Sequence, residues 1–207
     1  MCYQRETLNR LGWASAQGDD PDDSARTAEF LQVARGVNGQ KPFDHEGRFF
    51  EVKGGGFSEP LSRATFPPVF LQGTDEEALQ LSANAADIHL FDDAPIDELR
   101  GRLETLERLA FAAGREVAAG VIATITARET EEEAAGAAGI AGSYDSVAAP
   151  IATLHAAGIS HVVLSASPSP EEAYRIGQFV LTGSILGAKI IPLPHALGWI
   201  MTFPEGC

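Results

Sequence analysis

Residues 67–114 read PPVFLQG TDEEALQLSANAA DIHLF DDAP IDELRGRLETLERLAFAAG, and the punctuation of this stretch decides the fold. PPVFLQG is a short apolar run closed by a glycine, and in the next thirteen residues alanine and leucine recur at helical spacing. ADIHLF is again short and apolar, DDAP is a capped turn, and the segment from Ile96 carries leucines on one helical face. Strand, turn and helix therefore follow one another twice. Downstream, AAGVIATITA predicts a third strand, with RETEEEAAGAAGIAG leading into its helix. SVAAPIATLHAAG predicts a helix, ISHVVLSA the fourth strand and PEEAYRIGQFVL the last clear helix. Such alternation forces parallel pairing with helices on the sheet faces, because a parallel crossover must bridge end to end. The class is α/β. Alternation alone leaves an open sheet and a barrel both available, but 207 residues are too few for a full barrel, and four strands are half of one.

Upstream, residues 1–20 show no clear period, and GDDPDD closes them. Ser24 to Val37 fits a surface-packed helix, with Gly36 and Gly39 as stop signals. FDHEGRFFEV, from Phe43 to Val52, predicts a hairpin around a Glu-Gly turn, and Gly54, Gly55 and Gly56 give it a flexible exit. The layout expected is an undetermined segment over 1–21, one domain over 22–181 and an unplaced tail over 182–207.

A hydrophobic content of 44% in 207 residues supports one sizeable core. No apolar run reaches membrane-spanning length and the start lacks an apolar signal core, so a cytoplasmic protein is expected. A net charge of -14 argues against nucleic acid and anionic membrane as partners. The acidic clusters stand near helix starts, where they complement the helix dipole, and none has the spacing of a metal loop. Cys2 and Cys207 sit at opposite ends and suggest neither a disulfide framework nor a zinc site. No G-x-S-x-G elbow and no Walker-type phosphate loop occurs.

Several blocks taken together resemble the second half of a bacterial-luciferase-like flavin monooxygenase, in its alkanesulfonate, nitrilotriacetate and pristinamycin-synthase branches. They are RTAEFLQVARG, FDHEGRFFEVKGG, PPVFLQGTDEEALQLSANAADIHLF, GREVAAGVIATITARETEEEA and GSYDSVAAPIATLHAAGISHVVLSASPSPEEAYRIG. Their joint order carries the resemblance, since no one of them is diagnostic. It implies a partial, half TIM-type (β/α) barrel of about four parallel strands with helices, plus a small hairpin. It also implies a flavin-dependent monooxygenase: FMN, reduced by a partner reductase, would oxidise a small organic substrate with dioxygen. Two alternatives stand beside this reading. One is a non-catalytic relative that binds flavin or serves as a partner subunit. The other is a truncated gene product, whose raw strand edges would drive self-association or insolubility.

The resemblance also indicates site residues. Gly73 and Thr74 correspond to the phosphate turn, although Thr74 could equally cap its helix in a T-x-x-E box with Glu77. Asp75 stands where relatives carry a second serine, which would set a carboxylate against the phosphate. Phe91 could supply an aromatic wall beside Asp92, which replaces a tryptophan of the branch. Ile122 and Thr124 occupy the positions of an Arg-x-His pair, and Ser165, Ala166, Ser167 and Pro168 replace a Ser-Gly-Tyr-Pro run, so no catalytic residue is assigned. His45, His89, His155, His161 and His195 are read as structural, with His89 the one most worth testing. The family's first four strand-helix units and its long insertion between strands seven and eight have no counterpart in the quoted blocks.

Overall fold

A computed structural model of the protein describes residues 22–39, 41–58, 65–165, 170–181, 187–192 and 198–204. Cys2, Cys207, His195, Ala166, Ser167 and Pro168 lie outside the described residues. The chain divides into two compact units: Met1–His89 with Leu106–Val117, and Leu90–Thr105 with Ala118–Cys207.

Unit one opens with helix α1 (Asp23–Gly39) and the antiparallel hairpin of β1 (Phe43–Glu46) and β2 (Glu51–Gly55). Gly36, expected to stop the helix, lies inside it. A Cβ there would fall 2.0 Å from the Phe43 ring, so the position is kept small by packing. Glu29 of α1 fastens the hairpin: its carboxylate accepts the backbone N–H groups of Arg48 at 3.1 Å, Phe49 at 3.1 Å and Phe50 at 2.8 Å. Gly47 makes this possible, because a Cβ there would stand 2.1 Å from Glu29 Oε1. His45 Nε2 lies 3.2 Å from the same oxygen. Strand β3 (Phe70–Gln72), helix α2 (Glu76–Ala85) and the start of β4 (Ile88–Asp92) complete the unit, β3 pairing with β4. Their core is Leu31, Val69, Leu71, Ala85 and Ala86, with Phe30, Phe66 and Val117 packed against it. At the C-terminal end of α2, Arg115 donates to the carbonyls of Ala83 and Ala86, and Arg35 donates to Ala85 O and, at 2.9 Å, to Asp87. Two guanidinium groups thus satisfy the last carbonyls of that helix.

Helix α3 (Ile96–Ala112) follows β4 and contributes to both units. Unit two is built on β5 (Ala118–Arg128), whose alternate residues Val121, Ala123, Ile125 and Ala127 are fully buried. The short helix α4 (Glu131–Ala134), β6 (Ile140–Ser143), helix α5 (Ala148–Ala156), β7 (His161–Ser165) and helix α6 (Pro170–Arg175) come next, α6 running on as a π-helical turn over Ile176–Val180. The unit ends in β8 (Lys189–Pro192) and β9 (Gly198–Thr202). Its strands lie in the order β4-β5-β7-β9-β8, with β6 also on β5. β7 runs parallel to β5 from Gly120↔His161 to Thr124↔Ser165, and β6 parallel to it from Ile125↔Ile140 to Arg128↔Ser143.

The expected α/β class, with neighbouring parallel strands connected through helices, is therefore present. No closed barrel forms among the described residues. Two expectations are corrected. The glycine-rich run after Thr130 is not a helix beyond four residues; Ile140–Ser143 is a strand, because the far end of β5 offers backbone groups beyond the reach of β7. The unplaced tail supplies β8 and β9, and β9 pairs antiparallel with β7 from His161↔Thr202 to Ser165↔Gly198. The β7 edge is thus covered rather than raw, and the sheet is mixed.

Hydrogen bonding sets the behaviour of the hairpin with pH. Burial pushes the Glu29 carboxyl up, but the N–H donors of Phe50 and Phe49 together with His45 outweigh it and hold the group below the usual glutamate value. A depressed folded value gives a contribution that is complete above the unfolded pKa and is lost as pH falls through the folded one. Glu29→Gln should therefore speed amide exchange at Phe49 and Phe50 at neutral pH and flatten the loss of thermal stability on acidification, as read by exchange mass spectrometry and by melting from pH 7 to pH 3.

Candidate functional site

The turn after β3 carries Gly73 and Thr74. Gly73 is fixed by close packing, since a Cβ there would lie 2.3 Å from the Ala78 Cβ. Thr74 is exposed and does not cap α2. Asp75 is the cap: its extended backbone (φ -85, ψ 166) starts the helix, and its side chain accepts the Ala78 N–H at 2.7 Å. The T-x-x-E box is thereby corrected to a cap one residue later, a carboxylate being the stronger acceptor for the third amide of the helix. Glu76 and Glu77 follow in the first turn. Asp75, Glu76 and Glu77 thus set three acidic residues on the cap and first turn of this helix, and the Asp75 carboxylate is already bonded to a helix amide. The residues present do not fit a dianionic group there.

Phe91 is 0% exposed in β4 and is a core side chain. His89 is equally buried, its Nδ1 2.7 Å from the Ser82 hydroxyl of α2. Ile122 and Thr124 lie on the half-buried face of β5, beside Val163 and Ser165 of β7 by register. His161 begins β7 with its Nδ1 2.9 Å from the Ser160 hydroxyl, and burial holds its pKa below the ordinary imidazole value. His155 stacks on Phe203 at 4.4 Å. Asp92 is exposed at the end of β4, and burial raises the neighbouring Asp93, partly offset by the Ala94 N–H. Among the described residues no group of three His, Cys, Asp or Glu side chains could hold a metal ion, and no helix is long and apolar enough to cross a membrane.

Unit two holds a cleft that sequence reasoning missed. About 860 Å³ in volume, it is lined by Glu129, Glu133, Tyr144, Glu171, Tyr174, Arg175 and Phe179. Glu129 directly follows β5 and Tyr144 directly follows β6, which puts the cleft at the C-terminal ends of parallel strands, where α/β proteins place their ligands. The Tyr144 N–H donates to Arg128 O at 2.9 Å. Glu131 holds the same turn, accepting the Ser143 N–H at 3.1 Å, and hydrogen bonds from Ser146 and Ser143 keep its carboxyl below the usual glutamate range. The π-helical turn sets Phe179 against Tyr144 with ring centroids 4.8 Å apart. No spacing rule unites Tyr144 with Phe179, so the pair is invisible until the chain is folded. A second cleft, about 720 Å³ in unit one, is lined by Glu29, Arg35 and Arg115 among others, whose charged groups already serve the hairpin and the end of α2.

Residues 7–166 match the family model for luciferase-like monooxygenase, and this chain belongs to that family. Solved structures of similar fold include riboflavin lyase with modified FMN and riboflavin, at TM-score 0.72 and 14% identity over 86% of this chain and 60% of that one. EDTA monooxygenase from Chelativorans sp. BNC1 superposes at TM-score 0.70 and 17% identity over 87% of this chain and 63% of the other. A coenzyme F420 dependent tetrahydromethanopterin reductase from Methanopyrus kandleri does so at TM-score 0.65 and 15% identity, over 87% and 72%. At these identities the likeness is one of fold. The chain spans less than two thirds of the length of the first two. The family match begins earlier than the blocks quoted above and ends before α6.

The assignment of the cap can be tested directly. Asp75→Ala should cost about 1 kcal/mol of stability, as for other N-cap carboxylates, whereas Thr74→Ala should stay within about 0.5 kcal/mol; urea unfolding of both variants makes the comparison.

Proposed function

We propose that this chain serves a flavin-dependent monooxygenase system of the luciferase-like type as a non-catalytic member, a partner subunit that does not itself hold FMN through the Gly73–Thr74 turn. The observation that carries this reading is the start of α2, where Asp75 caps the helix and Glu76 and Glu77 follow, so that the position expected to attract phosphate repels it. Ile122 and Thr124 add to it, since neither ionises near neutral pH to serve as a general acid or base. A partner chain would then bring the flavin grip and the ionisable groups, and this chain would contribute the unit-two cleft.

Family membership and the modified FMN of a structural neighbour support a second reading, an FMN-dependent monooxygenase in its own right, fed with reduced flavin by a reductase and oxidising a small organic substrate with dioxygen. FMN would on that reading supply the oxygen-activating chemistry, and the protein would bind, orient and keep water away.

One experiment separates them. The purified chain is titrated with FMN to about 1 mM, the weak end of measurable small-molecule affinity, and oxygen uptake is followed with NAD(P)H and a flavin reductase over a panel of small organic substrates. Weak or absent FMN binding with no substrate-dependent oxygen uptake is expected. Saturable FMN binding with substrate-dependent uptake would establish the second reading and remove the first.

A further inference from the structure

We infer that the unit-two cleft is a binding site for an aromatic or alkyl ammonium ligand, a planar or compact organic cation rather than an anion. The inference concerns residues largely outside the family match, because Glu171, Tyr174, Arg175 and Phe179 all follow residue 166. It stands whether or not the chain takes part in flavin chemistry.

Three features converge. First, the cleft is built around rings: Tyr144 and Phe179 are stacked, with planes inclined by 22°, and Tyr174 and Phe179 are 71% and 50% exposed. Two of the four large hydrophobic side chains exposed among the described residues thus line one cleft, a concentration of apolar surface that water alone does not favour. Second, the charge is predominantly negative. Glu129, Glu133 and Glu171 line the cleft together with one basic residue, Arg175, which leaves a net negative lining among the described residues. Such a lining repels a sulfonate or carboxylate and attracts an ammonium, while ring faces add the attraction of their quadrupoles for a cation. Third, the backbone holds the cleft in place. Glu131 pins the turn before Tyr144, and the π-helical turn at Ile176–Val180 buries Ile176 and Val180 while leaving Phe179 at the surface. A volume of about 860 Å³ is ample for a one-ring or two-ring molecule.

The test uses three probes that share one ring and differ in charge: benzyltrimethylammonium, benzyl alcohol and benzenesulfonate, each titrated into the full chain by calorimetry with saturation-transfer NMR as a second readout. Saturable binding of the ammonium probe is expected, with benzyl alcohol weaker and benzenesulfonate without measurable affinity. Tyr174→Ala and Phe179→Ala, both at exposed positions, should each weaken the ammonium probe about two- to five-fold, the range of an exposed cation–π contact. Glu171→Gln should weaken it as well, and Phe111→Ala, an exposed ring on α3, should leave it unchanged. The inference fails if benzenesulfonate binds as tightly as the ammonium probe, or if no probe saturates by about 10 mM, beyond the weakest useful affinity. It fails equally if Glu76→Gln on α2 lowers the affinity as much as Glu171→Gln does, since the attraction would then belong to the net charge of the molecule.

Discussion

Strand β5 is longer than the strand beside it, and the need to satisfy its backbone shapes everything around the cleft. β7 pairs with it only from Gly120 to Thr124. The remaining amides and carbonyls up to Arg128 are equally strong hydrogen-bonding groups, and on a strand whose alternate side chains are fully buried they need a protein partner. Ile140–Ser143 provides it, drawn from a run of alanine and glycine that has little else to offer. Once that segment pairs, the chain must turn at Ser143, and the turn delivers Tyr144 to the strand ends. The Glu131 carboxylate closes the arrangement from the other side.

The same demand acts at the opposite edge of β7. An edge strand invites association with another chain unless it is covered, and here β9 covers it in antiparallel register while β8 backs β9. The Phe203 N–H donates to Ser160 O, and its ring lies on His155. Of the two local completions, β6 joins β5 in parallel, and the sheet is mixed because the β8–β9 pair joins β7 antiparallel.

Unit one shows how a carboxylate can act as a structural clasp rather than a catalytic group. Glu29 gathers three consecutive backbone amides of the hairpin connection and a histidine, and Asp87 receives the Val69 N–H and the Arg35 guanidinium. Asp75 uses its charge on a helix amide. Each of these groups is a plausible acid, base or anion partner when read as a letter in the sequence. Each is committed to backbone once its hydrogen bonds are seen.

The sequence by itself determined the α/β class, the order of strands and helices from Phe70 to Arg128, the hairpin at Phe43 and the family, because these depend on the periodicity of neighbouring residues and on turn chemistry, which are local. It also showed that Ile122 and Thr124 bring no charge to β5. It could not say that Asp75 rather than Thr74 caps α2, for both are good caps and one residue of register decides between them. The strand at Ile140 was hidden because alanine and glycine have weak preferences of their own, and only the unpaired length of β5 selects an extended form. The cleft was hidden for a related reason: Tyr144 and Phe179 come from segments 35 residues apart, and their contact exists only after hydrogen bonding has fixed where each segment runs.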